Sequence, residues 1–161
     1  MKNKDKTNVM RMLDAKKIEY DYHTYEPDAT LTGEEIAGIL GEDVSKVFKT
    51  LVTRAKSSEY YVFVVPVNAE LDLKKAAKAA GEKSASMIKQ KELLPLTGYV
   101  HGGCSPIGMK KPFKTFVHQT AKEYDRIFVS AGKVGYQIEL SPTDLEKMVR
   151  IGYADIIVDN N

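Results

Sequence analysis

The stretch Tyr60-Tyr-Val-Phe-Val-Val-Pro-Val67 carries an aromatic or apolar residue at every position. An extended segment with no polar face belongs in the middle of a sheet, with packing on both sides. Just before it, Val47-Phe-Lys-Thr-Leu-Val-Thr53 reads as a neighbouring strand. Helix signals flank the pair. Asp72 caps Leu73 through Ala80, which Gly81 stops. Upstream, Thr32-Gly-Glu-Glu35 is a capping box for a short helix ending at Leu40-Gly41, and Asp43 can cap one more turn. Nearer the start, Thr7 can cap a helix through about Lys17. A strand over 18–25 follows, in which Ile18, Tyr20 and Tyr22 alternate with Glu19, Asp21 and His23.

Downstream the elements shorten. Residues 84–88 suggest a strand, and 89–94 a brief helix closed by Pro95. A short strand then runs into the loop Gly102-Gly-Cys-Ser-Pro-Ile-Gly108. Strands are expected near 115–118, 126–132 and 134–140, then a helix opened by Ser141-Pro-Thr-Asp144 and a last strand over 151–158. Runs of strands mixed with helices do not make a regular βαβ repeat. The expected fold is α/β (α+β): a mixed, largely antiparallel sheet curled toward a barrel, with helices outside.

The 161 residues suit one domain, 1–161. With 29% charged and 43% hydrophobic residues, a disordered, collagenous or membrane-spanning chain is ruled out. A net charge of +2 argues against a general nucleic-acid coat but leaves room for a local basic patch. The single cysteine, Cys104, permits no intramolecular disulfide, so the chain is not built for an oxidising compartment. Residues 1–13 lack the apolar stretch of a secretory signal. The expectation is a cytoplasmic protein with no membrane partner.

Familiar catalytic patterns are missing. His23, His101 and His118 lack the i, i+4 spacing of a helical metal pair, and one cysteine cannot complete a zinc set. No metal and no cofactor is expected. Cys104 invites a reading as a nucleophile, but no histidine or carboxylate is tied to it by spacing, and a free cysteine is more often a small packed residue. Lys49 shares a face with Val47 and Leu51, while Phe48, Thr50 and Val52 occupy the other, so neither face offers its ammonium a solvated side. Two readings stay open: a side chain that snorkels to a sheet edge, or a cation aimed into a polar pocket. The glycine pair Gly102-Gly103 marks either a tight turn or backbone N–H groups presented to a carbonyl. Lys110, Lys111 and Lys114 follow as a basic cluster of the kind that positions a phosphate backbone. Val129-Ser-Ala-Gly-Lys133 alone reads as a hairpin turn.

In order, Phe48-Lys-Thr-Leu51, the Gly-Gly-x-Ser-Pro-x-Gly loop with its lysines (102–111) and Val-Ser-x-Gly-Lys (129–133) resemble the bacterial YbaK family. Its members are freestanding Cys-tRNA(Pro) deacylases related to the editing domain of bacterial prolyl-tRNA synthetases. The likeness covers residues 7 to 158. It implies the fold of that family and clearance of tRNA(Pro) mischarged with cysteine, an error that a size-selecting hydrophobic pocket cannot prevent. It further implies substrate-assisted chemistry, in which the substrate's own thiol attacks its ester carbonyl and the protein supplies orientation and preorganised donors. Carried onto this chain, Lys49, Gly102 and Gly103 would be catalytic. Tyr25, Leu31, Ser105, Pro106, Ser130 and Gly132 would bind substrate. Lys110, Lys111 and Lys114 would meet the tRNA backbone. The implied partners are aminoacyl-tRNA and a prolyl-tRNA synthetase. Three departures stand out: Cys104 where relatives carry an aliphatic residue, Leu31-Thr32 where an aromatic one before the glycine is common, and Gln137 in place of an acidic residue. The competing readings are a deacylase for another small amino acid such as alanine, a non-catalytic tRNA- or synthetase-binding module, and an anion pocket unrelated to tRNA.

Overall fold

The computed structural model describes residues 6–159. Among them are five α-helices: α1 (Asn8–Ala15), α2 (Gly33–Leu40), α3 (Leu73–Ala80), α4 (Gln90–Thr97) and α5 (Pro142–Met148). The strands are β1 (Asp21–Thr24), β2 (Phe48–Ala55), β3 (Tyr60–Pro66), β4 (Ala85–Met87), β5 (Lys114–His118), β6 (Ile127–Ser130), β7 (Tyr136–Leu140) and β8 (Ile151–Ala154).

Local chemistry sets most of the helix boundaries. Thr7 accepts from Met10 N–H, and Asp72 from Lys74 and Lys75 N–H. At α2 the capping box is complete: Thr32 and Glu35 each accept the other's backbone N–H. Gly41 and Gly81, both left-handed, end α2 and α3. Pro95, expected to close α4, lies inside it. In so short a helix the proline removes a single bond, and the last turn is held by Thr97 Oγ1 on the Leu93 carbonyl and Gly98 N–H on that of Leu94. The short strand expected before Gly102 is absent: Gly98 is left-handed, and residues 100–103 close a turn in which Gly103 N–H donates to the Val100 carbonyl.

β3 does occupy the middle of a sheet. Five strands lie in the order β4-β2-β3-β5-β8, antiparallel from β4 to β3 and parallel from β3 to β8. One face, with Phe48, Val52, Val62, Val64 and Val117, enters the largest core together with α1, α5 and the inner side of the second sheet. The opposite face, with Phe63 and Val65, packs on Ala76 of α3. The second sheet is antiparallel, in the order β1-β7-β6.

One bridge, Val47 to Phe128, stitches the sheets together, and they do not close into a barrel. Closure would need a ladder between outer strands, and β4 and β1 offer only three and four residues. A small third cluster of Ala37, Val47 and Val67, with Val44 and Phe128 against it, seats α2 at this junction.

Candidate functional site

Just before β2, Val47 belongs to the cluster under α2, and within the strand Leu51 packs against the cluster under α3. Lys49 lies between them, on the same face, opposite Val65 in the β3 register. The two helices leave that position uncovered, and a cavity of about 440 Å³ opens there. The sequence left Lys49 undecided between a sheet edge and a pocket; the structure puts it in the cavity wall.

The Lys49 ammonium is half-buried. Burial lowers its pKa from the usual lysine value, and the carboxylates of Glu34 and Glu70 pull it partly back. Desolvated and flanked by acids, it is a cation poised to meet a carbonyl, ribose or phosphate oxygen.

Across from β2 the wall is built by the loop after α4. Gly102 lines the cavity with φ +88°, a left-handed conformation that glycine adopts freely. Gly103 does not line it. Its N–H donates to Val100, and a Cβ there would stand 3.0 Å from the Val134 nitrogen. This contact lays the loop on the Lys133–Val134 backbone, so two of the sequence signals meet in space. Among the described residues, the N–H groups of Gly102 and Cys104 meet no acceptor.

Of the remaining predicted substrate residues, Tyr25, Leu31 and Ser130 line the cavity. Burial raises the Tyr25 phenol. Ser130 Oγ accepts from Gly132 N–H. Ser105, Pro106 and Gly132 do not reach it: Ser105 Oγ, fully buried, accepts from Ile107 N–H, Pro106 is buried beside it, and Gly132 is wedged against Tyr99 and Val9. They shape the wall from behind. Lys110, Lys111 and Lys114 are exposed and outside the cavity.

Sequence reasoning missed several lining groups, notably His101, Leu93, Tyr136 and Gln137. Two of them had a signal: His101 as the neighbour of Gly102, and Gln137 as a departure from the acidic residue of the family pattern. Cys104 also lines the cavity, and burial pushes its thiol up to about 12. A thiol held that far from ionisation is a poor nucleophile near neutral pH.

Likeness to known proteins supplies the class. A model of the aminoacyl-tRNA editing domain matches residues 27–148, and the chain is an aminoacyl-tRNA deacylase. It belongs to that editing-domain family. It is 45% identical to EbsC of Enterococcus faecalis over 96% of this chain and 95% of that protein, whose proposed activity is Cys-tRNA(Pro)/Cys-tRNA(Cys) deacylase. A proline–tRNA ligase of Shouchella clausii is 29% identical over 65% of this chain and 18% of the ligase. The fold is shared with the crystal structure of a proposed trans-editing enzyme for prolyl tRNA synthetase, with a TM-score of 0.78, 23% identity and coverage of 94% and 97%. No helix among the described residues is long and apolar enough to cross a membrane.

Proposed function

We propose that this chain is a single editing domain that acts in trans, in the cytoplasm, on Cys-tRNA(Pro), and that the cysteine's own thiol attacks the ester carbonyl. The new C–S bond forms as the bond to the ribose oxygen breaks; the thiol proton ends on that oxygen, and free tRNA leaves a cyclic thiolactone that water opens. Lys49 holds the carbonyl or ribose oxygen, and the N–H of Gly102 faces the charge that develops on the carbonyl. Tyr25, Leu31 and Ser130 enclose the aminoacyl-adenosine end. Ser105, Pro106, Gly103 and Gly132 set the wall behind it. Lys110, Lys111 and Lys114 take the tRNA backbone. A prolyl-tRNA synthetase is the partner that supplies the mischarged tRNA.

One observation carries the reading: the cavity that holds the desolvated Lys49 has for its only thiol Cys104, raised to about 12 by burial. A site with a positioning cation and an inert protein thiol suits a substrate that brings its own nucleophile. The name of the 45% identical relative points to the same substrate. Release of labelled amino acid from Cys-tRNA(Pro), Ala-tRNA(Pro) and Ser-tRNA(Pro) tests it. Fast loss of cysteine alone is expected. Equal loss of alanine or serine would defeat the thiol route, and loss of none would leave a binding module.

A further inference from the structure

Gln137 is 4% exposed, yet it lines the cavity that holds Lys49. Its amide nitrogen donates to Glu42 Oε1 at 3.0 Å. Its amide oxygen has no hydrogen-bond partner. Thr50 Oγ1, on another side chain of the same cavity wall, is also unpartnered; so is Glu42 Oε2, outside that wall. Buried polar atoms are almost always paired, so orphans on the wall of one cavity indicate a missing donor.

The sense of the Glu42–Gln137 bond decides what that donor is. An ionised carboxylate only accepts, so Glu42 holds the NH₂ end of the amide and leaves the C=O end without a donor. Burial raises the Glu42 pKa, and the bond from Gln137, together with His23, draws it back toward ionisation, against the repulsion of Glu139. His23 is itself bonded to Glu139 at 2.9 Å. The cavity wall that holds the Lys49 cation therefore also holds an unpaired, neutral acceptor. An aminoacyl ester carries one strong donor close to its carbonyl, the α-ammonium.

Building on the deacylase reading above, we propose that Gln137, oriented by Glu42, accepts a hydrogen bond from the α-ammonium of the bound aminoacyl group. The pocket so selects a free amino acid ester over one without its amine. Gln137 is a binding residue, and Glu42 a positioning residue that acts through it.

The test compares two substrates on each variant: cysteinyl-tRNA(Pro) and the same tRNA acylated with 3-mercaptopropionate, which keeps the thiol and lacks the amine. The kcat/KM ratio of the two is internal to each preparation, so partial loss of folded protein cancels. Gln137→Met should lower the wild-type ratio about tenfold, in line with one hydrogen bond to a charged group. Glu42→Gln leaves Gln137 in place but frees its amide to turn, and should lower the ratio about threefold. An undiminished ratio in Gln137→Met, or in Glu42→Gln if the first variant does not fold, overturns the inference. Wild-type protein that releases neither acyl group overturns the deacylase reading itself, and this inference with it.

Discussion

The two walls of the cavity put the same physics to opposite ends. On β2, burial lowers the pKa of Lys49, whose charge is nevertheless supported by Glu34 and Glu70. On the facing loop, burial acts on Cys104 with no cationic partner and pushes the thiol up to about 12. Desolvation disfavours the charged form in both cases. Paired with carboxylates it leaves a sharpened cation; alone on a thiol it leaves an inert packing group. Which reactive side chain counts is thus decided by what stands beside it.

The contrast is broken most severely at Lys49. Lys49→Ala should cut deacylation by roughly 100-fold or more, the scale of removing one preorganised charge partner. A melting temperature close to that of the wild type would show the fold intact; near-normal turnover would take the lysine out of the mechanism. Gly103→Val comes next. Its side chain would press on the Val134 nitrogen, 3.0 Å from the Cβ position, and shift the loop that carries Gly102. A misplacement of about 1 Å costs on the order of 100-fold in an oriented reaction, so a loss of roughly 10–100-fold is expected in single-turnover assays.

Acidity sharpens the same comparison. Since the Lys49 pKa is lowered, its cation is lost before pH 10.5 on the alkaline side. Activity that needs the ammonium should fall as pH rises through that lowered value. Lys49→Arg, which keeps its charge, should move the alkaline limb upward once uncatalysed hydrolysis is subtracted. An unmoved limb would assign it to another group. The smallest effect belongs to Cys104. Cys104→Ala should retain activity within about threefold, and alkylation of the wild-type thiol at neutral pH should run far slower than that of an exposed cysteine. Rapid alkylation with loss of turnover would restore the nucleophile reading.

Elements governed by local chemistry were legible in advance. The Thr32–Glu35 capping box, the Asp72 cap with its Gly81 stop, and the two-sided apolar run of β3 each declare themselves within a few residues. What depends on distant partners was not. Period-two alternation assigns Lys49 to a face but cannot say that the helices covering that face part above it. Nothing near Gly103 shows that its N–H is spent on Val100, which leaves Gly102 as the free member of the pair. Glu42 and Gln137 stand 95 positions apart and meet only because α2 is seated on the seam between the sheets. The Phe48–Leu51, Gly102–Lys111 and Val129–Lys133 segments, far apart in the sequence, each contribute residues to the wall of one cavity. Only the fold showed that Ser105, Pro106 and Gly132 lie behind its wall.

The central claim is that the substrate, and not the protein, brings the nucleophile. Its most direct test compares release from cysteinyl-tRNA(Pro) with release from S-methylcysteinyl-tRNA(Pro), in which one methyl group blocks the thiol. Cysteine should be freed rapidly and S-methylcysteine no faster than in buffer alone. Release of both at similar rates would contradict the account.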